Sequence, residues 1–348
     1  MDRKGKIGSN IPSFEGIVPD YEILDTVAWQ YKPEDSYFCR TTKGCARKCP
    51  FCAVWQLERR FLRNEDWRKE LREVRNKFGE RQHLVLLDNN VLAHGDIEEI
   101  IGEIRREGFE KGATLNNRLR AVDFNQGIDA RMVTGRIAKC LASINLRPVR
   151  LAFDYDQIEP SYRKAIQHLA GARFRTFTNY LMFNYNDSPK SLYRRMKINL
   201  EISRQMGVDI TGFPMRYIPT TDVNRQYVST GWNWRYLRGI QCVLLATHGM
   251  VSPCRRFFNA AFGGSFSEFL EILSMPDRYI IQREQYKNDD AKDWRRRFQK
   301  LSTSDKEELL EILAVLNGTK EKKAQMAKHR KFAGVLEHYY PEGKVLSE

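Results

Sequence analysis

The sequence predicts an α/β protein whose strands form a mostly parallel sheet. Short apolar segments alternate with longer amphipathic segments about six times between residues 36 and 222, the pattern of repeated strand–helix units. The apolar segments also end in polar residues, as strands do when a site lies along one edge of a sheet. Two architectures fit this pattern, an open doubly wound sheet and an incomplete (β/α) barrel, and in both function lies at the carboxyl ends of the strands.

The predicted elements begin after an irregular N-terminal arm over residues 1–35, which Pro12, Pro19 and Pro33 interrupt. Apolar segments of strand length predict the strands, and apolar residues at helical spacing predict the helices between them. The predicted strands are 37–42, 83–88, 120–125, 149–154, 174–180 and 209–218. The predicted helices are 53–78, 96–107, 131–143, 160–170 and 189–206.

The alternation weakens after about residue 222. A helix is predicted over 236–247, and residues 276–348 are rich in Lys, Arg and Glu, which favours further helices and includes a basic stretch at 320–331. We therefore expect residues 36–222 to form the sheet domain. Residues 223–348 are expected to form a mostly helical C-terminal extension that packs on that domain.

Composition favours a cytoplasmic protein. The N-terminal segment is polar, and no run of 18 apolar residues occurs, so neither a signal peptide nor a membrane span is expected. In a reducing compartment the seven cysteines are not expected to form a disulfide framework.

The net charge of +14 is concentrated in one part of the chain. Residues 111–176 carry twelve Lys and Arg against five Asp and Glu. Such a band attracts polyanions, including nucleic acids. An ordinary solvated surface explains the same charge equally well, so both interpretations stay open.

Polar residues cluster where the predicted strands end. One such strand end fits a simple turn, since Asp and Asn favour turns, but five in succession favour the rim of a site. The residues concerned are Asp88, Asn89, Asn90, Asn125, Gln126, Asp154, Asn179, Arg216 and Tyr217.

Three cysteines follow the first predicted strand with the spacing C-x3-C-x2-C: Cys45, Cys49 and Cys52. Thiolates this close together bind a soft metal centre or react with one another. A structural zinc ion normally requires four ligands, and no fourth ligand lies nearby in the sequence. A [4Fe–4S] cluster held by three thiolates has one iron left with an open position for a substrate or cofactor. Zinc, or thiols that share this spacing by coincidence, remains the alternative.

This motif resembles the signature of the radical S-adenosylmethionine (SAM) superfamily, C-x3-C-x-Φ-C, in which Φ is aromatic. Phe51 occupies the Φ position. The resemblance implies a partial (β/α)6, TIM-like barrel in which Cys45, Cys49 and Cys52 bind a [4Fe–4S] cluster. It also implies that the open iron chelates the amino and carboxylate groups of SAM, and that Phe51 lies on the adenine side. In that family the reduced cluster cleaves SAM to methionine and a 5′-deoxyadenosyl radical, which abstracts hydrogen from a substrate.

The resemblance also implies roles at the strand ends. The family places a Gly-Gly-Glu motif after the second strand to bind the SAM amino group, and this chain has Asp88, Asn89 and Asn90 there instead. We expect Asp88 to accept hydrogen bonds from the ammonium group and the two asparagines to present their amides. Asn125 and Gln126 are expected to line the SAM and substrate pocket.

Several of the residues after Gln126 fit more than one role. The loop after Gln126 also contains Asp129, for which a turn with a helix N-cap is a compatible interpretation. Asp154 is expected to contact the SAM ribose or carboxylate. Asn179, Arg216 and Tyr217 end the last two strands, and Arg216 fits either the SAM carboxylate or an anionic substrate.

Cys254 follows His248 by six residues, which permits thiol catalysis. An ordinary loop cysteine is the preferred interpretation. No residue is assigned a catalytic role from the sequence.

Three functional hypotheses remain. The first is a radical SAM enzyme acting on a nucleic acid or nucleotide, favoured by the charge and by aromatic residues interleaved with arginines that could stack bases: Trp232, Trp234, Tyr236, Trp294 and Phe298. The second is the same chemistry on a small metabolite or a peptide. The third is a non-catalytic zinc or iron–sulfur protein that binds nucleic acid. A flavodoxin or ferredoxin is the expected reductant, and no motif for a second cluster or for cobalamin occurs.

Overall fold

A computed structural model describes residues 18–26, 28, 35–283, 289–316 and 328–340. The chain divides into two compact units. The first comprises Met1–Tyr180 and Glu201–Ile210, and the second comprises Leu181–Leu200 and Thr211–Glu348. Part of the predicted N-terminal arm and residues 320–327 of the basic C-terminal stretch lie outside the described residues.

All six predicted strands form. They are β1 (Ser36–Cys39), β2 (His83–Leu86), β3 (Val122–Phe124), β4 (Val149–Ala152), β5 (Thr176–Phe183) and β6 (Asp209–Arg216). One sheet has the order β1-β2-β3 and a second has the order β6-β5-β4. The ladders β1–β2, β2–β3 and β4–β5 are parallel.

Two parallel bridges connect β3 to the region of β4, between Val122 and Leu146 and between Ile128 and Leu151. The strands therefore follow one another in chain order. Among the strands that the structure describes, no ladder joins β1 to β6, so the array is open. This confirms the predicted α/β class and the partial barrel, with a mostly helical C-terminal region.

The helices alternate with the strands. They are α1 (Val54–Leu57), α2 (Trp67–Phe78), α3 (Ile97–Ile104), α4 (Gly135–Leu141), α5 (Glu159–Gly171) and α6 (Pro189–Met206). Helix α4 begins at Gly135 because Thr134 caps it, with the Thr134 hydroxyl accepting a hydrogen bond from Ile137 N at 3.2 Å.

The predicted helix over 53–78 is wrong in its middle. The chain forms α1, then a two-residue strand Leu62–Arg63, and only then α2. That strand pairs antiparallel with Thr42–Lys43, directly before the cysteine motif. Local periodicity could not reveal this, because the pairing partner lies about twenty residues earlier in the chain.

The core of the first unit follows from its strands. Leu84, Leu86, Val122 and Phe124 are almost fully buried, as expected for parallel strands covered by crossover helices. Burial of this apolar surface is the main force that holds the strand ends in place.

The second unit is mainly helical. Its further helices are α7 (Trp234–Ala246), α8 (Arg255–Phe262), α9 (Phe266–Ser274), α10 (Asp277–Ile281), α11 (Asp290–Gln299), α12 (Thr303–Leu316) and α13 (Ala333–Leu336). Aromatic side chains dominate its core, with Phe258, Phe262, Phe269 and Trp294 fully buried. Within the described residues, no helix combines the length and the apolar character that crossing a membrane requires.

Three of the aromatic residues proposed for base stacking belong to this core. Trp232, Trp294 and Phe298 are 6%, 0% and 5% exposed, and Trp294 stacks on Phe298. A buried ring has no free face for a base, so these residues do not support nucleic-acid binding.

Candidate functional site

The loop with the three cysteines follows the carboxyl end of β1 and begins directly after the short strand Thr42–Lys43, so Cys45 lies six residues beyond β1. Cys45, Cys49 and Cys52 are half-buried, and none of the seven cysteines, all of them described, forms a disulfide. The carbonyl oxygen of Cys49 accepts hydrogen bonds from Cys52 N and from Trp55 Nε1, each at 3.0 Å. These bonds fold the motif into a compact turn that leads into α1.

Gly44 allows the loop to pack against the segment after α1. Its φ is +78°, and a Cβ atom placed there would lie 2.2 Å from the carbonyl oxygen of Arg60. Only glycine fits this position. Gly44 N also donates to Glu58 Oε2 at 2.8 Å, which ties the residue before Cys45 to the end of α1.

Asp88, at the carboxyl end of β2, holds the other side of this loop. Its carboxylate is 3% exposed and accepts four hydrogen bonds, from the backbone N–H and the hydroxyl of both Thr41 and Thr42, at 2.5–3.1 Å. Burial raises the pKa of the Asp88 carboxyl, and the four hydrogen bonds offset part of the rise. Both carboxylate oxygens therefore accept hydrogen bonds from Thr41 and Thr42. The sequence analysis expected Asp88 to accept them from the SAM ammonium group instead.

Asn89 is similarly engaged. Its amide donates to Glu58 Oε2 at 3.0 Å, and Glu58 Oε1 accepts from Arg40 at 2.6 Å. The side chain of Asn89 therefore supports the carboxylate that holds Gly44, whereas the sequence analysis expected its amide to face a ligand.

Asn90 lies directly beside the cysteines. Its side chain is almost fully buried, and Asn90 Nδ2 lies 3.7 Å from Cys45 Sγ, within hydrogen-bonding distance for sulfur. Asn90 Oδ1 is buried and has no hydrogen-bond partner among the described residues. A buried acceptor without a partner is costly, so this oxygen is suited to a donor supplied by a ligand.

The spacing of the three sulfurs bears on the type of metal centre. Among the described residues, the only set of three or more ligand atoms within 4.8 Å of one another is Asp293, Glu337 and His338, so at least two of the three cysteine sulfurs lie farther apart than that. One zinc ion with Zn–S bonds of about 2.3 Å would bring its sulfurs closer together than this. A four-iron cluster places each thiolate on a different iron, so a wider spacing fits it.

An ion-pair network borders the cysteines. Asp129 Oδ2 accepts from Arg47, which lies between Cys45 and Cys49, and Arg131 pairs with both Asp129 oxygens. Arg131 Nη1 also donates to Tyr155 OH at 3.1 Å. Burial alone would raise the pKa of Asp129, but the hydrogen bonds from Arg131 and Arg47 outweigh it and lower the pKa. The network connects the cysteine loop to the ends of β3 and β4.

Asp129 also caps the turn Ala130–Met132 by accepting from Arg131 N, as the turn interpretation predicted. Near it, burial raises the pKa of the Cys49 thiol, and the Arg131 and Arg47 charges oppose this rise. The guanidinium groups therefore favour the thiolate form that a metal centre requires.

A polar chain that the sequence analysis missed runs across β3, β4 and β5. Arg150 forms a bidentate ion pair with Asp123, both bonds being 2.7 Å, and donates to Tyr180 OH at 3.4 Å. Tyr180 OH donates to the carbonyl oxygen of Asn125 at 3.3 Å. The signal was present in part, because a polar residue lies between two apolar residues in the strand sequences V-D-F and V-R-L.

The remaining predicted residues of the first unit lie at or near the motif and the strand ends. Phe51 is half-buried within the motif, Asn125 is half-buried and accepts from Gln126, and Gln126 is exposed. Asp154 is half-buried after β4. The tight turn after Gln126 uses Gly127 at a φ of +85°.

Asn179 does not end its strand, since β5 continues to Phe183. Its side chain is fully buried and forms a hydrogen bond with Tyr162 of α5, a crossover helix. The alternation of a strand places Asn179 on the same face as Phe177 and Leu181, both buried. Asn179 therefore faces the helix layer, and the prediction that it lies on the site rim is corrected.

Arg216 and Tyr217 belong to the second unit. Arg216 Nη2 donates to the carbonyl oxygen of Tyr227 at 2.8 Å, and the guanidinium carbon lies 5.0 Å from the ring centre of Trp234. Tyr217 N donates to the carbonyl oxygen of Phe183 at 2.8 Å. The ring of Tyr217 packs edge-on against two further tyrosines.

His248 and Cys254 are also in the second unit and are both exposed. His248 has a φ of +51° in the turn after α7, and Cys254 lies directly before α8, where its N–H donates to Ser252 Oγ. Within the described residues, no hydrogen bond joins the imidazole to the thiol, so thiol catalysis gains no support.

The chain was compared with known proteins. Residues 39–181 match the model of the radical SAM superfamily. No curated protein sequence matches the chain.

Solved structures resemble it at low sequence identity. The radical SAM methyltransferase TsrM from Kitasatospora setae, solved with cobalamin and a [4Fe–4S] cluster, is 13% identical with a TM-score of 0.39, over 59% of this chain and 37% of that one. HydG, a maturase of the [FeFe]-hydrogenase, is 13% identical with a TM-score of 0.41, over 57% and 47%. SuiB from Streptococcus suis, bound to SAM, is 12% identical with a TM-score of 0.39, over 61% and 48%.

The chain thus spans less than half the length of each of these structures, and their likeness alone does not assign an activity. The match to the superfamily model begins at the last residue of β1 and contains the cysteine motif and the β2 and β3 strand ends described above. A [4Fe–4S] cluster and SAM, predicted from the sequence, are the cofactors of this superfamily. Residues 39–181, about two fifths of the chain, therefore form a radical SAM domain.

Proposed function

We propose that this protein holds a [4Fe–4S] cluster on Cys45, Cys49 and Cys52 and uses it to cleave SAM reductively. When bound, the reduced cluster supplies the electron that converts SAM to methionine and a 5′-deoxyadenosyl radical, which abstracts hydrogen from the substrate. The observation that carries this proposal is the position of Asn90, whose buried, unpartnered Oδ1 accompanies an amide nitrogen 3.7 Å from Cys45 Sγ.

Within this proposal Asn90 accepts a hydrogen bond from the ammonium group of SAM. Asp88 and Asn89 act indirectly, by positioning the cysteine motif. Their side chains form hydrogen bonds with Thr41, Thr42 and Glu58, which surround the motif. The Asp129 network keeps two positive charges beside the thiolates. Cationic groups stabilise the additional negative charge that a reduced cluster carries.

Phe51 is proposed to lie on the adenine side of SAM, Asn125 and Gln126 to line the SAM and substrate pocket, and Asp154 to contact the SAM ribose or carboxylate. All four lie in the first unit, in the motif or at the ends of β3 and β4. The external electron donor is proposed to be a flavodoxin or a ferredoxin.

The zinc alternative is less well supported. A single zinc ion needs four closely spaced ligand atoms, and within the described residues the three cysteine sulfurs do not belong to such a set. An unpartnered acceptor beside Cys45 would have no function in a closed structural zinc site.

A nucleic-acid substrate has one supporting observation. A pocket of about 230 Å³ in the first unit is lined by four basic residues and no acidic one, namely Lys111, Arg147, Arg173 and Arg175. The pocket lies near the residues that precede β4 and β5, at the amino ends of these strands, whereas the cysteine motif follows the carboxyl end of β1. All four basic side chains are exposed, and they would hold a backbone phosphate of a long nucleic acid away from the reacting group. Such a cluster fits a phosphate group.

Other basic residues of the same band do not add to this argument, because carboxylates neutralise them. Arg118, Arg120, Arg136, Arg150 and Arg163 each form an ion pair within the first unit. We therefore propose a nucleic acid as one candidate substrate, next to a small metabolite or peptide.

The test of the proposed chemistry is anaerobic reconstitution followed by a cleavage assay. The wild-type chain should bind about four irons and, with dithionite and SAM, release 5′-deoxyadenosine. Replacing Cys45, Cys49 or Cys52 with Ala should abolish both, whereas Cys254→Ala, at an exposed cysteine of the second unit, should change neither. Stoichiometric zinc without iron, or cleavage of SAM by a cysteine variant, would refute the proposal.

A further inference from the structure

The second unit contains a pocket of about 750 Å³ along one face of α7. Leu237, Gln241, Leu244 and Leu245 line it at intervals of four, three and one, so they form one helical stripe, and His248 lines it from the turn after the helix. With a rise of about 1.5 Å per residue, this stripe is about 12 Å long. Small-molecule sites in proteins have volumes of about 300–1,000 Å³, and this pocket lies within that range.

One wall of the pocket is apolar. Phe183 and Leu237 are buried, Ile218 and Leu244 are half-buried, and Leu245 is 58% exposed. A leucine exposed to this extent at the edge of a cavity offers surface that a ligand could cover. The wall therefore suits the hydrocarbon or aromatic part of a ligand.

The charged part of the lining is entirely cationic. Arg216 and Arg225 line the pocket, and no acidic residue does. Arg216 Nη2 donates to Tyr227 O, whereas Arg216 Nε is buried and has no partner in the described part of the chain. Burial lowers the pKa of Arg216, the Arg225 charge lowers it further, and nearby Asp222 acts in the opposite direction.

Arg225 is exposed and held by its backbone. Its φ is +57°, and its N–H donates to Asp222 O at 3.2 Å, while Asp222 Oδ2 accepts from Tyr227 N. Within the described residues, no ion pair joins Arg216 or Arg225 to a carboxylate. Two guanidinium groups that repel each other, with no anion between them, gain most from binding one.

We propose that this pocket binds an organic anion with an apolar body, its carboxylate, sulfonate or phosphate held by Arg216 and Arg225 and its apolar part lying along α7. A neutral apolar ligand would leave the two like charges uncompensated. Inorganic phosphate would use none of the apolar wall. The site lies within the second unit, so the proposal stands independently of the cluster chemistry.

The experiment uses two dyes with the same aromatic body, 8-anilinonaphthalene-1-sulfonate and its neutral counterpart N-phenyl-1-naphthylamine. Wild-type protein should bind the sulfonate with one site per chain, followed by dye fluorescence. Arg225→Gln, at an exposed position without a side-chain bond in the structure, should weaken sulfonate binding about fivefold or more and leave the neutral dye unaffected. Arg216→Gln should act in the same direction.

Two further variants separate this site from nonspecific dye binding. Arg256→Gln removes an exposed arginine of α8 outside the pocket lining and should change neither dye. Leu245→Glu places a carboxylate on the exposed edge and should weaken the sulfonate by tenfold or more through like-charge repulsion. Equal sulfonate affinity in wild type, Arg225→Gln and Leu245→Glu would overturn the proposal, and so would complete displacement of the sulfonate dye by inorganic phosphate at equal concentration.

Discussion

Asn90 Nδ2 and Cys45 Sγ lie 3.7 Å apart, although 45 residues separate them in the sequence. The contact joins the end of β2 to the first cysteine of the motif, and it leaves Asn90 Oδ1 buried without a partner among the described residues. An asparagine in this arrangement offers its nitrogen to the thiolate and its oxygen to a ligand. The first prediction depends on these two separate roles of the Asn90 amide.

Asn90→Ala should weaken SAM binding about tenfold or more while the cluster still assembles. The substitution removes the acceptor for the SAM ammonium group and leaves all three thiolates in place. SAM affinity by equilibrium dialysis and iron content should be measured on the same anaerobic preparation. Asn76→Ala, at an exposed position in α2, is the matched control and should equal wild type in both. Unchanged SAM affinity in Asn90→Ala would remove the main argument for the proposed SAM contact.

Asp88→Asn should destabilise the first unit by about 2–3 kcal/mol, because an amide NH₂ would face the N–H and hydroxyl donors of Thr41 and Thr42. Urea unfolding should show the loss, and iron incorporation should fall with it. Asp209→Asn replaces an exposed carboxylate and should stay within about 0.5 kcal/mol of wild type. If Asp88→Asn kept full stability but lost SAM affinity, the carboxylate would be a ligand contact and not an anchor.

Asn90 and Asp88 show which parts of the site the sequence could predict. The cysteine spacing is a local pattern, so the three metal ligands and Phe51 could be identified from a dozen consecutive residues. The roles of Asp88 and Asn89 depend on Thr41, Thr42 and Glu58, which lie about thirty to fifty residues earlier. Which of three adjacent polar residues faces a ligand is decided by those distant partners, and the sequence alone does not contain that information.

The fold was predictable to a similar degree. The strands were predicted from short apolar segments between longer amphipathic ones, and all six form. Their ends were less predictable, as Asn179 shows: β5 continues four residues beyond it, so the residue is interior and faces Tyr162. The short strand Leu62–Arg63 exists because Thr42–Lys43 pairs with it. The sequence around residues 62–63 does not predict that pairing.

In the second unit, Asp277 should make stability depend on pH in the acid range. Its oxygens accept from Arg235 and Arg238, each at 2.7 Å. Burial alone would raise the pKa of Asp277, but the two arginines outweigh it and lower the pKa below the ordinary 3.8. A carboxyl with a lowered folded-state pKa contributes stability that is present above pH 3.8 and is lost as the pH falls through the lower folded-state value.

The measurement is urea unfolding of wild type and Asp277→Asn at several pH values from about 2 to 7. The difference in the free energy of unfolding should be constant above about pH 5 and should shrink below pH 4. Asp209→Asn should show no such pH-dependent difference. A wild-type advantage that grew on acidification would mean that the pKa of Asp277 is raised and that the ion pairs are misassigned.

The four basic residues of the first-unit pocket give the nucleic-acid hypothesis a direct test. Lys111→Gln and Arg173→Gln should each weaken binding of a labelled single-stranded RNA and should each reduce the slope of log affinity against log salt by about one. Both side chains are exposed and line the pocket, so neither change should affect folding. Lys139→Gln is the matched control, because Lys139 is exposed and lies in the same basic band but outside the pocket.

Fluorescence anisotropy from low to physiological salt measures both the RNA affinity and its dependence on salt. Equal losses in all three variants would indicate nonspecific attraction by net charge, and the absence of RNA binding by the wild type would leave a small metabolite or a peptide as the substrate class.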